Sequence, residues 1–194
     1  SATAKTASIV IKAQPKMAEV KKVIATSDEY MPNGGKENRL SNWFVNIVMD
    51  KVSSMSGKKV DVGICNFGGI RSAMPQGDVS LNDIKSMFPF RNTLVYVEHT
   101  GKQIREFLEL MASRRFEVLG GVKVVAEGGR LVSVEIDGEP LDDEKIYGLA
   151  TISFLLKGGD GLSLDKNAVN IRKFDNVQII DAVLEHVRAE AAAG

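Results

Sequence analysis

Two short stretches hold the residues best suited to chemistry. "NFGGIR" (66–71) and, about ninety positions later, "FLLKGGDG" (154–161) each set paired glycines beside a polar or charged side chain at the end of an apolar run. Consecutive glycines such as Gly68 and Gly69, or Gly158 and Gly159, let backbone N–H groups converge on an oxygen-rich ligand without obstruction by side chains. Arg71 closes the first stretch with a forked donor suited to phosphate, and Asn66 opens it with both a donor and an acceptor. In the second, Asp160 lies between glycines that expose a carboxylate able to accept hydrogen bonds from vicinal hydroxyls. The same residues also make ordinary turns, an Asx turn in the case of Asp160. Neither stretch is a P-loop, because the G-x-x-x-x-G-K-[ST] spacing is missing.

The elements that must position these loops alternate between helix and strand. "SIVIKA" (8–13) reads as a first strand, residues 20–27 are compatible with an extended segment, and "MPNGG" marks a turn. From Glu37 the apolar residues Leu40, Trp43, Phe44, Ile47, Val48, Val52 and Met55 share one helical face, with Gly57 as the stop. Residues 58–65 then alternate as a strand that delivers the chain to Asn66. Ser80 and Asp83 form a capping-box pattern for a short helix that Pro89 limits, and residues 93–99 are rich in β-formers. Thr100 and Gln103 open a helix whose inner face is Ile104, Phe107, Leu108 and Met111. "VKVVAE" and "LVSVEI" flank "GGR" as a hairpin closed at its other end by "DGEP". Residues 145–153 form the strand leading to the second glycine stretch, and a last helix starts at Asn176. The expected fold is α/β in a mixed α+β arrangement, one domain of about five to seven strands with its mixed sheet packed with helices. It is expected as one domain over 1–194, with 1–35 a lead-in and 36–194 bearing the motifs.

Composition limits the functions open to the chain. Its 194 residues, 44% hydrophobic, suffice for one well-buried core. Twenty-five Lys and Arg balance 25 Asp and Glu, so no global charge draws it to nucleic acid or to an anionic membrane. No apolar stretch approaches the length of a membrane span. Cys65 is the single cysteine, with no evident base partner. Of the two histidines, His99 ends a strand and His186 lies on the last helix beside Glu185; both read as surface or capping residues rather than metal ligands. The spacing supplies neither a two-metal site nor a nucleophile with its base, so no catalytic residue and no metal ligand is expected here.

"KENRLSN", then "NFGGIRSAMPQGDVSLNDIKSMFPFRNTLVYVEHTGKQIREFLE", then "ATISFLLKGGDGL" occur in an order and at spacings that closely resemble the C-terminal domain of the 5′-nucleotidase family. The resemblance runs from about Lys36 to the end of the last helix. It implies that this domain holds a nucleoside or nucleotide, while a separate metallophosphoesterase domain or partner carries divalent metal ions and attacks the phosphate. It further implies that Arg71 and Asn66 contact the phosphate end, that Phe90 and Phe154 sandwich the base, and that Asp160 binds the ribose hydroxyls. Read from burial preference alone, each phenylalanine belongs in the core.

Two departures stand out. Lys36 is found where the family commonly has a second phosphate-binding arginine, which turns a bidentate fork into a point charge. Phe67 replaces a residue that is usually small, and either narrows the pocket or packs against a neighbouring element. The resemblance places the protein in the periplasm, on the cell surface or in the secreted fraction, and in nucleotide catabolism. The chain is expected to act as the substrate-binding part of a 5′-nucleotidase-type hydrolase, inactive alone. The alternative is a non-catalytic nucleoside- or nucleotide-binding module or protein-interaction domain.

Overall fold

Asn38 starts the longest helix by a reciprocal cap: its side chain accepts from the Ser41 N–H, and the Ser41 hydroxyl accepts from the Asn38 N–H. The helix, α1 (Arg39–Ser56), stops at Gly57, whose φ of 67° is the left-handed conformation that a side chain disfavours. Leu40, Phe44, Ile47, Val48 and Val52 are buried along one face, as their spacing requires, while Trp43 and Met55 are partly buried at its margins. In the computed structural model residues 19–194 are described, so the expected strand at 8–13 lies outside the described residues.

The remaining elements follow in chain order. Before α1 comes β1 (Val23–Ser27); after it come β2 (Val62–Cys65), β3 (Gly77–Ser80), α2 (Leu81–Met87), β4 (Thr93–Thr100) and α3 (Gly101–Ser113). Then follow β5 (Val118–Gly120), β6 (Val122–Glu127), β7 (Arg130–Ile136), β8 (Glu139–Pro140), β9 (Ile146–Ile152), α4 (Ser153–Leu156), β10 (Asn170–Gln178) and α5 (Ile179–Ala193). Among the described residues this gives ten strands rather than five to seven, because β3, β5 and β8 are too short to show a period of their own.

The central sheet has the order β10-β4-β9-β2-β5 and is mixed: β2 and β9 are parallel and the other neighbours antiparallel. Leu94, Val95, Tyr96 and Val97 are all buried in succession, so both faces of β4 are covered. α1 lies across β2, β5, β9 and β4 and against α5, while α3 packs on β4 and β7. The "GGR" hairpin forms as expected, with Gly128 and Gly129 both at positive φ in the tight turn between β6 and β7.

Three local expectations are corrected. The last helix begins at Ile179 rather than Asn176, because Asn170–Gln178 pairs with β4 as an edge strand that its many charged and polar residues disguise. The strand expected at 58–65 contracts to Val62–Cys65. His99 is fully buried instead of at the surface: its Nε2 lies 2.6 Å from the Leu164 carbonyl oxygen and its ring meets Phe107 edge-on.

Strand direction explains how distant loops meet. Because β2 and β9 run parallel, their carboxyl ends deliver Asn66 and Ser153 to the same edge of the sheet. β4 runs antiparallel to β9 with Leu94 opposite Ile152, so the loop that precedes β4 arrives at that edge too. Ligands of open α/β sheets commonly bind outside the carboxyl ends of parallel strands.

Candidate functional site

Hydrogen bonds fasten the converging strand ends and loops to one another. Thr151 Oγ1 donates to the Ile64 carbonyl at 2.7 Å, which holds β9 to β2 just inside the loops. Ser153 Oγ accepts from the Thr93 N–H at 3.1 Å and donates to Asn92 Oδ1 at 3.2 Å, joining the start of α4 to the segment before β4. The Arg71 N–H donates to the Met87 carbonyl at 2.8 Å, which ties the first glycine stretch to the end of α2. These bonds bring residues 66–71, 87–93 and 151–161 to one place.

There they enclose a cleft of about 210 Å³ lined by Asn66, Gly68, Gly69, Phe90, Asn92, Phe154 and Asp160. Phe90 and Phe154 are 47% and 45% exposed, so neither ring is core and both offer surface to the cleft. The Arg71 guanidinium lies 5.8 Å from the centroid of the Phe90 ring, a cation–π approach at the rim. Asn66 is buried, and its Nδ2 donates to Asp160 Oδ2 at 2.8 Å. That bond orients the carboxylate and leaves Asp160 Oδ1 without a hydrogen bond among the described residues.

Backbone conformation sets the Asp160 side chain in position. Residues 159–161 form one tight turn in which Asp160 itself has φ 51°, a left-handed value that Asp and Asn tolerate better than most residues, flanked by Gly158 at 95° and Gly161 at 74°. Gly159 is required for a different reason: a Cβ there would overlap the Phe154 carbonyl oxygen and crowd its ring. The glycine stretch and the phenylalanine are therefore packed as one unit.

Arg71 also lines a second, more open recess of about 440 Å³, which shares Gly68 with the first and includes Asn33, Gly35 and Arg115. Lys36 is absent from both; it lines a neighbouring cavity of about 330 Å³ together with Ser41, Phe67 and Arg115. Phe67 is buried, forming part of the floor between the recesses and packing into the core. Gly158 shapes the turn without lining the cleft.

Three residues in or beside these recesses carry no signal in the sequence. Asn92 follows Phe90 by two positions and puts an amide on the cleft wall. Arg115 and Glu117 precede β5, and the pairing of Cys65 with Val118 places Glu117 beside the first glycine stretch. The Glu117 side chain is 6% exposed; it accepts from the Phe67 N–H at 3.0 Å and from Arg115 Nη2 at 2.9 Å. The hydrogen bond and charge of Glu117, with a smaller contribution from Asp160, hold the Arg115 guanidinium more firmly protonated than usual. Among the described residues no group of three or more His, Cys, Asp or Glu side chains could hold a metal ion. Burial pushes the Cys65 thiol up, far from the thiolate a nucleophile needs. The donor set of a two-metal centre is thus not met by these residues.

Comparison with known proteins identifies the family and the fold. The family model described as the 5′-nucleotidase C-terminal domain matches residues 18–166. The chain is 33% identical over 114 residues to Protein UshA of Yersinia enterocolitica and 30% identical over 115 residues to a 5′-nucleotidase of Vibrio vulnificus. These matches cover 56% and 57% of the chain and 21% of each relative, so the matched region spans about a fifth of their length. Among solved structures, a 5′-nucleotidase precursor from Thermus thermophilus superposes with a TM-score of 0.78 at 26% identity, over 96% of this chain and 40% of that one. No helix among the described residues is long and apolar enough to cross a membrane.

Proposed function

This chain belongs to the 5′-nucleotidase C-terminal domain family, and from that premise we propose that it is the nucleotide-binding part of a 5′-nucleotidase-type phosphohydrolase. The observation that carries the reading is the convergence of Phe90, Phe154, Asp160 and Asn66 on one cleft from three separate segments. Two half-exposed rings provide stacking faces for a nucleobase, an interaction worth about 1–3 kcal/mol per base in single-stranded nucleic acids and tolerant of base identity. Asn92 can meet the polar edge of a base held between the rings, since an amide both donates and accepts. Asp160, oriented by Asn66, accepts from the ribose hydroxyls through an oxygen that no described residue occupies. Arg71, between the base cleft and the open recess, takes the phosphate end.

Phosphate hydrolysis is assigned to a metallophosphoesterase domain or partner, because the described residues supply no metal-holding group. That part would contribute the divalent ions; this chain binds and orients the nucleotide. By the same resemblance the protein acts outside the cytoplasm, in nucleotide breakdown, and residues 1–194 serve as one domain. Calorimetric titration with adenosine and adenosine monophosphate tests the reading. Saturable binding of both, tighter for the monophosphate, is expected; absence of heat with either would refute it.

A further inference from the structure

The open recess beside the base cleft is walled by two guanidinium groups that reach it from different elements. Arg71 comes from the first glycine stretch and Arg115 from the segment before β5, with the backbones of Gly34, Gly35 and Gly68 between them. Arg115 is 60% exposed, yet it is not loose. Its Nη2 donates to Glu117 at 2.9 Å, while its Nη1 would lie 3.8 Å from a Cβ placed on Gly35. One edge of the guanidinium is thereby held from behind, and the other borders a glycine backbone that leaves room for a ligand. Glu117 is itself anchored, because its second oxygen accepts from the Phe67 N–H at 3.0 Å. A single buried carboxylate thus links the turn that floors the recess to the cation on its opposite wall.

The charge count favours an anion. The residues lining this recess include two arginines and no carboxylate; Glu117 lies outside the lining and neutralises at most one of the two. Buried Glu117 requires a cationic partner, and Arg115 supplies it through Nη2 alone while 60% of its side-chain surface stays exposed. A planar fork held by a carboxylate on one edge still presents N–H donors from the other, the arrangement that suits phosphate.

We propose that Arg115, positioned by Glu117, is a second anion-binding residue that grips the phosphate groups of a nucleotide together with Arg71 and determines preference for phosphorylated ligands over nucleosides. The inference deepens the nucleotide reading and rests on it for the identity of the anion. Lys36 lines another cavity, so the second cation of this recess is Arg115, from a segment elsewhere in the chain.

The test titrates the full chain and its Arg115→Ala, Arg115→Lys and Glu117→Gln variants with adenosine, adenosine monophosphate and inorganic pyrophosphate. Arg115→Ala is expected to weaken the monophosphate and pyrophosphate by about tenfold and to leave adenosine unchanged. Arg115→Lys should recover part of the loss, and Glu117→Gln should lower monophosphate affinity with adenosine binding retained, a split that a purely structural role would not produce. If Arg115→Ala binds both phosphorylated probes like the wild type, the proposal is wrong while the base cleft stands. If the wild type binds pyrophosphate but not adenosine, the base cleft falls and the pyrophosphate response to Arg115→Ala still decides this proposal. A wild type that takes adenosine but neither phosphorylated probe also overturns it.

Discussion

Asn66 and Asp160, 94 residues apart in the chain, are joined by a 2.8 Å hydrogen bond from amide to carboxylate. The bond links the two glycine stretches directly and fixes one oxygen of Asp160, while the other makes no hydrogen bond among the described residues. Asp160→Asn should retain the fold, because asparagine also tolerates the left-handed backbone found at this position. It removes the charge that vicinal hydroxyls would meet. Affinity for adenosine should fall by about tenfold, with a smaller loss for the 2′-deoxynucleoside; an unchanged ratio between the two would count against the assigned role.

Phe90→Ala together with Phe154→Ala should abolish detectable nucleoside binding, each ring contributing about 1–3 kcal/mol. Both rings are nearly half exposed, so the far-ultraviolet circular dichroism should stay as in the wild type. Phe44→Ala is the contrasting variant. Phe44 is fully buried with its ring 4.8 Å from Phe88, and its loss should cost about 3–5 kcal/mol of stability in denaturant titration.

Gly159→Ala should behave unlike Gly68→Ala. A Cβ at Gly159 collides with the Phe154 backbone, whereas at Gly68 the nearest atom outside the adjoining residues is the Asn66 amide nitrogen at 3.6 Å, an ordinary contact. The first substitution should destabilise by about 1–3 kcal/mol through overpacking and displace the Phe154 ring; the second should leave the melting temperature nearly unchanged. Equal melting temperatures would show that the second glycine stretch and Phe154 are not packed as one unit.

His99 predicts an acid-sensitive component of stability. Burial holds its pKa below the usual histidine value, against weaker opposing effects from the Leu164 carbonyl and Asp165. With Nε2–H donating to Leu164, the proton gained on acidification would sit on Nδ1, a buried atom with no partner. The unfolded chain therefore takes up that proton first. Its contribution to stability is complete above about pH 6.5 and diminishes as pH falls below that value toward the folded pKa. Melting temperature measured from pH 7.5 down to pH 5 should decline in the wild type and decline less in His99→Gln.

Much of this arrangement was legible in the sequence because its parts are local. A glycine pair after a strand, a capping asparagine and an apolar helical stripe each depend on neighbours within a few positions. α1, α2 and the "GGR" hairpin therefore formed close to where their patterns lie. Four-residue and shorter strands escaped because so few positions show no period, and β10 escaped because an edge strand rich in charge resembles a loop. Phe90 and Phe154 illustrate a different limit. Their apolar flanks suit a core; the family resemblance sets them apart from it, and the β4–β9 register brings both to the end of the sheet. Arg115 and Glu117 carry no signal of their own; the pairing of β2 with β5 sets them beside the first glycine stretch.

A crystal structure of the chain with adenosine monophosphate tests directly whether the two rings, Asp160 and Arg71 hold one nucleotide. The base is expected between the Phe90 and Phe154 rings, the ribose against Asp160 and the phosphate in the recess at Arg71. Well-ordered nucleotide bound elsewhere, with the two rings untouched, would contradict it.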